Sequence, residues 1–214
     1  MRIIYKTFSL VLSVAILITF TASLVNAAEV SVLKKYSVDS QKSQFFVNTG
    51  SAGFLSALGH KHKISVSNFS GEVAFDPKDI SKSSVQLKIN PLALSLIPDS
   101  KKAEKDKAEI ETNMRDKVLE VSQFPEITFR STSVLATPVN ANEFDAEIHG
   151  VLSLHGTNQD IILKTKIVLS SNSLVASGKF TLKQTDYKIR PATAAGGAIK
   201  VKDEVELSFE IAAH

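Results

Sequence analysis

The chain lacks cysteine and tryptophan altogether and is sparing with proline, which occurs 6 times in 214 residues. Without cysteine, a disulfide, a lipidated cysteine behind a leader and a thiol nucleophile are all excluded. Stability must then come from a hydrophobic core, and a chain of this length can bury a sizeable one.

Motifs that carry catalysis are missing as well. The sequence contains no G-x-S-x-G nucleophile elbow, no G-x-x-x-x-G-K-[ST] phosphate loop and no G-x-G-x-x-G turn. The pair Gly196-Gly197 stands alone before a strand pattern, which is typical of a loop that needs permissive backbone. We therefore expect a protein that is not an enzyme and that needs no cofactor.

Residues 1–27 have the composition of a secretory signal peptide. Arg2 and Lys6 precede the apolar run 8–25, and a small residue stands at the predicted cleavage site. The alternative is an uncleaved membrane anchor, because the run approaches spanning length. Part of the net charge of +3 belongs to this segment, so no nucleic-acid partner is indicated. We predict a periplasmic or secreted protein with a single domain over residues 28–214.

Most of the remaining chain alternates apolar and polar residues with a period of two, which is typical of strands with one buried face. The pattern is clearest in five segments, residues 83–89, 144–154, 161–169, 174–183 and 198–211. Hairpin turns and antiparallel neighbours are predicted by short polar links, DPKD, GTNQD and SSNS. Strand parity places seven side chains on the buried face: Val85, Leu87, Ile89, Leu152, Leu154, Leu207 and Phe209.

One segment, residues 99–125, has helical instead of strand periodicity. Ile110, Met114 and Val118 recur at helical spacing, and Pro125 ends the pattern. We predict one amphipathic helix in an otherwise all-β chain, with these three apolar side chains packed onto the sheet.

A meander of about eight or nine strands must bury one face of every strand, and closure into a barrel does this while removing the edges. The alternative is a two-sheet sandwich with a solid core. We predict an antiparallel barrel of about eight strands, a size that holds either its own side chains or one small ligand.

Two histidines mark the start of one strand pattern. His60 and His62 share the parity of Ile64 and Val66, so they are predicted to face the interior near the rim. Two imidazoles this close can share a metal, and Asp203, between apolar residues of the last strand pattern, could be a third ligand. These three residues define the alternative function, a metal-dependent envelope enzyme.

The ligand set for such a metal is incomplete. His149 and His155 have the outward parity of Glu147 and cannot complete it. A buried unpaired carboxylate is costly, so Asp203 is expected at a rim or bulge. We therefore favour His60 and His62 as polar lining of a ligand pocket, with no metal bound.

The longest irregular stretch among the late strands is residues 184–197, and loops of this length are often functional. It contains Tyr187 and Arg190. Arg190 could hold a phosphate or carboxylate head group. We predict that a pocket would be completed by these two residues together with His60, His62 and Asp203.

Four motifs resemble those of the YceI-like family of secreted, lipocalin-like barrels. They are YSVD (36–39), FSGEVAFDP (69–77), MRDKVLEVSQFPEITFRSTSV (114–134) and GVLSLHGT (150–157). The chain departs from many members at Val118, where they carry histidine, and resembles a sub-branch with the GHKH doublet at 59–62.

The resemblance implies a barrel that binds polyisoprenoid or isoprenoid-quinone lipids. The expected partner is therefore an isoprenoid-type lipid. Transient contact with a membrane surface would fit such a function. Neither the resemblance nor the residue pattern defines an oligomeric state.

Overall fold

The computed structural model of the chain describes residues 33–53 and 61–214, apart from the side chains of Ala194 and Ala195. The predicted signal peptide and His60 lie outside this part of the chain. The strands within it are β1 (Lys34–Thr49), β2 (Ser51–Ala52), β3 (His62–Val66), β4 (Phe69–Phe75), β5 (Ser84–Ile89), β6 (Leu94–Ile97), β7 (Ile127–Pro138), β8 (Glu143–Leu154), β9 (Thr157–Leu169), β10 (Leu174–Lys183), β11 (Thr193–Ala194), β12 (Ile199–Val201) and β13 (Glu204–Ala213).

Eight of these strands close into one antiparallel barrel. Their order around the ring is β13, β10, β9, β8, β7, β5, β4 and β1, and pairing of β1 with β13 closes it. The first part of β1 pairs with β4 and its last part with β3, with a bulge between Asp39 and Gln44. β6 pairs with β3 and ends the sheet on that side. The predicted barrel is confirmed, and the sandwich is not observed.

Side chains alternate between core and solvent along the barrel strands, as a period of two requires. In β8, Phe144, Ala146 and Ile148 are buried, whereas Asp145 and Glu147 between them are exposed. All seven side chains predicted to face inward do so, because each lines the interior cavity described below.

The hairpin between β8 and β9 turns at His155 and Gly156, whose φ values are 51° and 67°. Two consecutive positive φ values are those of a type I′ turn, which matches the twist of the flanking strands. The predicted link GTNQD is therefore wrong in position. Thr157 and Asn158 already pair with Leu154 and Ser153 in the ladder.

The predicted last strand is two strands that belong to different sheets. β12 joins β2 and β11 in a separate three-stranded sheet, whereas β13 is part of the barrel. At the break, Lys202 N–H donates to Gly50 O and Gln184 N–H donates to Asp203 O. The alternation is interrupted at Asp203, a polar residue at an inward position, so the rim or bulge expected there coincides with the break, although the pattern did not show that the two strands join different sheets.

The predicted helix is present as α1 (Lys101–Asn113), followed directly by one π-helical turn at Met114–Val118, called the π turn below. Ser100 caps α1, because its Oγ accepts from Ala103 N–H. Ile110, Met114 and Val118 face the barrel interior, as predicted. No helix in the described ranges is long and apolar enough to cross a bilayer.

Candidate functional site

The barrel encloses a cavity of about 440 Å³. That volume is typical of small-molecule sites, which span about 300–1,000 Å³. Aliphatic and aromatic side chains from all eight barrel strands form most of the wall, and the remainder comes from α1, the π turn, the short strands β2, β3, β6, β11 and β12, and the loop before β11. An interior of this kind favours an apolar occupant, since it offers few hydrogen-bond partners.

Five of the polar lining residues lie on paired short strands and the end of β1, a group called the polar end below. Strand register brings them together: Thr49 pairs with His62, and Thr193 pairs with Lys200. Ser51 pairs with the neighbouring Val201. The polar end therefore consists of Thr49, Ser51, His62, Thr193 and Lys200, all of which line the cavity.

His62 lies where strand parity places it. Its backbone N–H donates to Thr49 Oγ1 at 3.2 Å, and its half-buried side chain lines the cavity together with Ile64 and Val66. Its partner in the predicted pair, His60, lies outside the described residues. A role of either histidine in ligand binding stays a prediction.

Tyr187 does not line the cavity but belongs to the packed core, with 1% of its surface exposed. Burial, assisted by the negative charge of Asp186, raises the pKa of its phenol to about 12. The phenolic oxygen has no hydrogen-bond partner among the described residues. Since a 3₁₀ turn at Gln184–Tyr187 folds the loop back against the barrel, this side chain points inward as an apolar group.

Arg190 and Asp203 also lie away from the cavity wall. Arg190 is exposed. The carboxylate of Asp203 accepts from Thr185 Oγ1 at 2.7 Å and from Thr185 N–H at 2.9 Å. These hydrogen bonds hold the pKa of Asp203 below its ordinary value. Asp203 thus ties the β12–β13 break to the loop, at the rim where an unpaired carboxylate is tolerated.

Two residues of the alternative metal site, His62 and Asp203, lie in the described structure, whereas His60 lies outside it. Residues 33–53 and 61–214 contain no group of three or more histidine or acidic side chains that could hold a metal ion. Both oxygens of Asp203 are engaged by Thr185.

A polar cluster that the sequence analysis missed lies at the β8–β9 turn. His155 was predicted to face solvent, but it is 8% exposed, so that prediction is wrong. Its Nε2 lies 2.8 Å from Glu120 Oε2 and its Nδ1 lies 3.2 Å from Tyr187 O. Phe124 packs on the imidazole at 4.2 Å between ring centres. Parity failed because His155 is a turn residue with positive φ, so its side chain does not follow the strand alternation.

A closed antiparallel barrel around an apolar cavity, with one helix against it, defines the class of lipocalin-like barrels. The chain belongs to the YceI-like domain family, whose model matches residues 36–213. Relatives called Protein YceI from Salmonella arizonae and Salmonella enteritidis are each 30% identical over 206 residues, covering 91% of this chain and 95% of the relative.

Solved structures share the fold at low identity. BcnA of Burkholderia cenocepacia superposes with a TM-score of 0.64 and 18% identity, covering 83% of this chain and 99% of its own. A polyisoprenoid binding domain from Saccharophagus degradans, implicated in plant cell wall breakdown, gives 0.57 and 15%, covering 84% and 97%. The Campylobacter jejuni YCEI protein gives 0.51 and 16%, covering 70% and 82%. At these identities the likeness establishes the fold.

Proposed function

We propose that the protein is a periplasmic or secreted carrier that sequesters a long apolar lipid of the isoprenoid type in the barrel cavity. The observation that carries the proposal is the cavity itself, which is of ligand size and mainly lined by carbon atoms. Transfer of an apolar chain into it would contribute about 2.5 kcal/mol per 100 Å² of surface removed from water. The function is binding, and no bond is made or broken.

The polar end supports an amphipathic ligand with its head at one end of the cavity. Hydroxyl groups of Thr49, Ser51 and Thr193 can donate or accept, and Lys200 adds a positive charge. His62 would act as polar lining that hydrogen-bonds the head group. Pockets for amphipathic ligands combine a large apolar wall with a few such placed polar groups.

Two further observations support the proposal from outside the cavity. A fold neighbour from Saccharophagus degradans is described as a polyisoprenoid binding domain. The signal-like segment at residues 1–27 supports the location, since an apolar run behind basic residues is typical of secreted precursors. A carrier in an aqueous compartment would shield a lipid that is insoluble there.

The rival function is a metal-dependent enzyme that uses His60, His62 and Asp203. Asp203 is half-exposed and bound to Thr185, whereas His62 lines the cavity. Metal analysis of the purified protein separates the two functions. Stoichiometric zinc, copper or iron that disappears in both His60→Ala and His62→Ala would replace the carrier with the enzyme.

The carrier is tested by filling the cavity. Ala176 and Thr181 lie on the same strand, β10, but Ala176 lines the cavity and Thr181 is exposed. Binding of N-phenyl-1-naphthylamine, followed by fluorescence and competed with farnesol, should weaken at least about tenfold in Ala176→Phe, a change of about 1.4 kcal/mol. Thr181→Phe adds the same ring outside and should bind like the parent.

The fold of both variants is checked by circular dichroism. A parent that binds neither compound, or an Ala176→Phe variant that binds as well as the parent, would contradict the carrier.

A further inference from the structure

The barrel wall is not built in the same way all round. β6 ends the sheet, so its outer edge has no strand partner within residues 33–53 and 61–214. Side chains of the helical segment take that place. Glu111 Oε1 accepts from Leu96 N–H and from Ser95 Oγ, both at 2.8 Å. Arg115 donates to Leu94 O at 3.4 Å.

Glu111 and Arg115 also bind each other, at 3.2 Å between Oε2 and a guanidinium nitrogen. They are four residues apart, which places them on one helix face about 5–6 Å apart. Leu94 and Leu96, two residues apart on the strand edge, have nearly the same spacing. We call Glu111 and Arg115 the latch, because together they replace one strand of the ladder.

The inner face of the same segment forms part of the cavity wall. Ile110, Asn113, Met114 and Val118 all line the cavity. These side chains therefore face a void on one side, where a packed core would give them contacts all round. The π turn lies within this stretch, and single π turns inside helices are frequent at functional sites.

The free energy needed to open the wall is expected to differ between its parts. Between β8 and β9, the register runs without interruption from Glu143 opposite Val168 to Leu154 opposite Thr157, so opening would break many backbone hydrogen bonds together. Between β6 and α1, the hydrogen bonds that hold the wall closed come from the latch. Segments held by few contacts are those that open at lowest free energy.

We propose that α1 and the π turn form a gate through which the lipid enters and leaves the cavity, held shut by the latch against β6. The proposal rests on the carrier function proposed above. Neither latch residue lines the cavity, so the latch governs passage and does not contact the bound lipid. A gate of this kind changes the rates of association and release by the same factor and leaves the affinity unchanged.

The first test measures both rates by stopped flow, with N-phenyl-1-naphthylamine as the probe and excess farnesol as the chase. Glu111→Ala should raise association and release together by about tenfold, the effect of losing a hydrogen bond to a charged group. The dissociation constant should change by less than about threefold. Glu109→Gln is the matched control, since Glu109 is an exposed carboxylate on the same helix, and its rates should equal those of the parent.

The second test closes the gate covalently. Because the chain has no cysteine, Ser95→Cys with Glu111→Cys gives one pair of thiols across the latch. When a short reversible bis-thiosulfonate linker joins the two thiols, a covalent bond blocks opening. The linked form should therefore exchange the probe at least about tenfold more slowly than the same variant after reduction.

The outcomes separate the gate from the carrier function. Equal exchange in the linked and reduced forms, or a Glu111→Ala variant that changes affinity alone, would overturn the gate and direct attention to the polar end as the route. A parent protein that binds neither compound would refute the carrier, and the gate with it. Slow exchange only in the linked form supports both.

Discussion

The barrel wall is held closed by different contacts on its two sides. From β7 to β10, called the strand-built side below, neighbouring strands are paired by backbone hydrogen bonds, and buried side chains such as Phe144 pack behind them beside the cavity. At β6, called the helical side below, the wall is a helical segment attached by Glu111 and Arg115, and the inner face of that segment lines the cavity. A barrel edge can therefore be covered either by another strand or by side chains of a helical segment.

The largest difference between the two sides is expected when one apolar side chain is deleted from each and the free energy of unfolding is compared. Phe144 on β8 is 4% exposed and meets Phe75 edge-to-face at 5.3 Å between ring centres. Phe144→Ala should lower the free energy of unfolding by about 3–5 kcal/mol. Met114→Ala should lower it by less than about 2 kcal/mol, because Met114 is half-buried and faces the cavity. Urea unfolding measures both, and equal losses would contradict the proposed difference between the walls.

A smaller loss is expected at the β8–β9 turn, which closes the strand-built side. His155→Ala removes the contacts to Glu120 Oε2 and Tyr187 O and should lower the free energy of unfolding by about 2–3 kcal/mol. His149 on β8 is the control, since its Nε2 is buried with no partner among the described residues. His149→Ala should be close to neutral, and a larger loss there than at His155 would show that the turn does not fasten this side.

The helical side should respond to acid. Burial raises the pKa of Glu111, but hydrogen bonds from Ser95 and Leu96 and the charges of Arg115 and Lys107 outweigh it, so the net shift is below the ordinary value of 4.5. The ionised latch therefore contributes fully above that value, and its contribution is lost as the pH falls through the lowered pKa.

This shift predicts faster probe release in acid. As the pH falls from 7 through the lowered pKa of Glu111, release should accelerate several-fold in the parent, because protonated Glu111 holds β6 less well. In Glu111→Gln, which has no titrating group at that position, the acceleration should be absent. Identical pH profiles for the two proteins would show that ionised Glu111 does not hold the helical segment against β6.

The smallest effect is expected on the outer surface of the strand-built side. Lys179 and Glu206 lie 3.7 Å apart with side chains 70% and 49% exposed. Lys179→Ala should change the free energy of unfolding by less than about 1 kcal/mol, since exposed ion pairs contribute little. Unfolding at two salt concentrations checks this, because a stronger pair would lose stability visibly when screened.

The strand-built side could be predicted from sequence, because its alternation reflects burial directly. Val85, Leu152 and Leu207 point inward where parity places them. The same rule failed at His155, where the turn residue adopts positive φ. At Asp203 the interruption of the alternation marks a break, but it did not show that the two flanking strands belong to different sheets. Periodicity reports which face is buried, whereas the strand partner on either side of an interruption is not encoded in it.

The site was only partly accessible from sequence. His62 lines the cavity as predicted, because its position follows from the strand that contains it. Tyr187 and Arg190 were assigned to a pocket from a loop, and loop side chains have no periodic signal that fixes their direction. Asp203 was assigned from the parity of the last strand pattern, which is interrupted at that residue. Glu111 could not be recognised, since its role depends on the edge of β6, which is distant in sequence and visible only in the assembled sheet.

The central claim is that the cavity holds a lipid, and native mass spectrometry of the purified protein tests it most directly. We expect a species heavier than the protein by the mass of one lipid. Organic extraction should remove this lipid, and analysis of the extract should identify it as an isoprenoid. Ala176→Phe should reduce that species strongly, whereas Thr181→Phe should retain it. A parent protein that carries no lipid, takes up none when mixed with an isoprenoid alcohol, and behaves like Ala176→Phe throughout would contradict the claim.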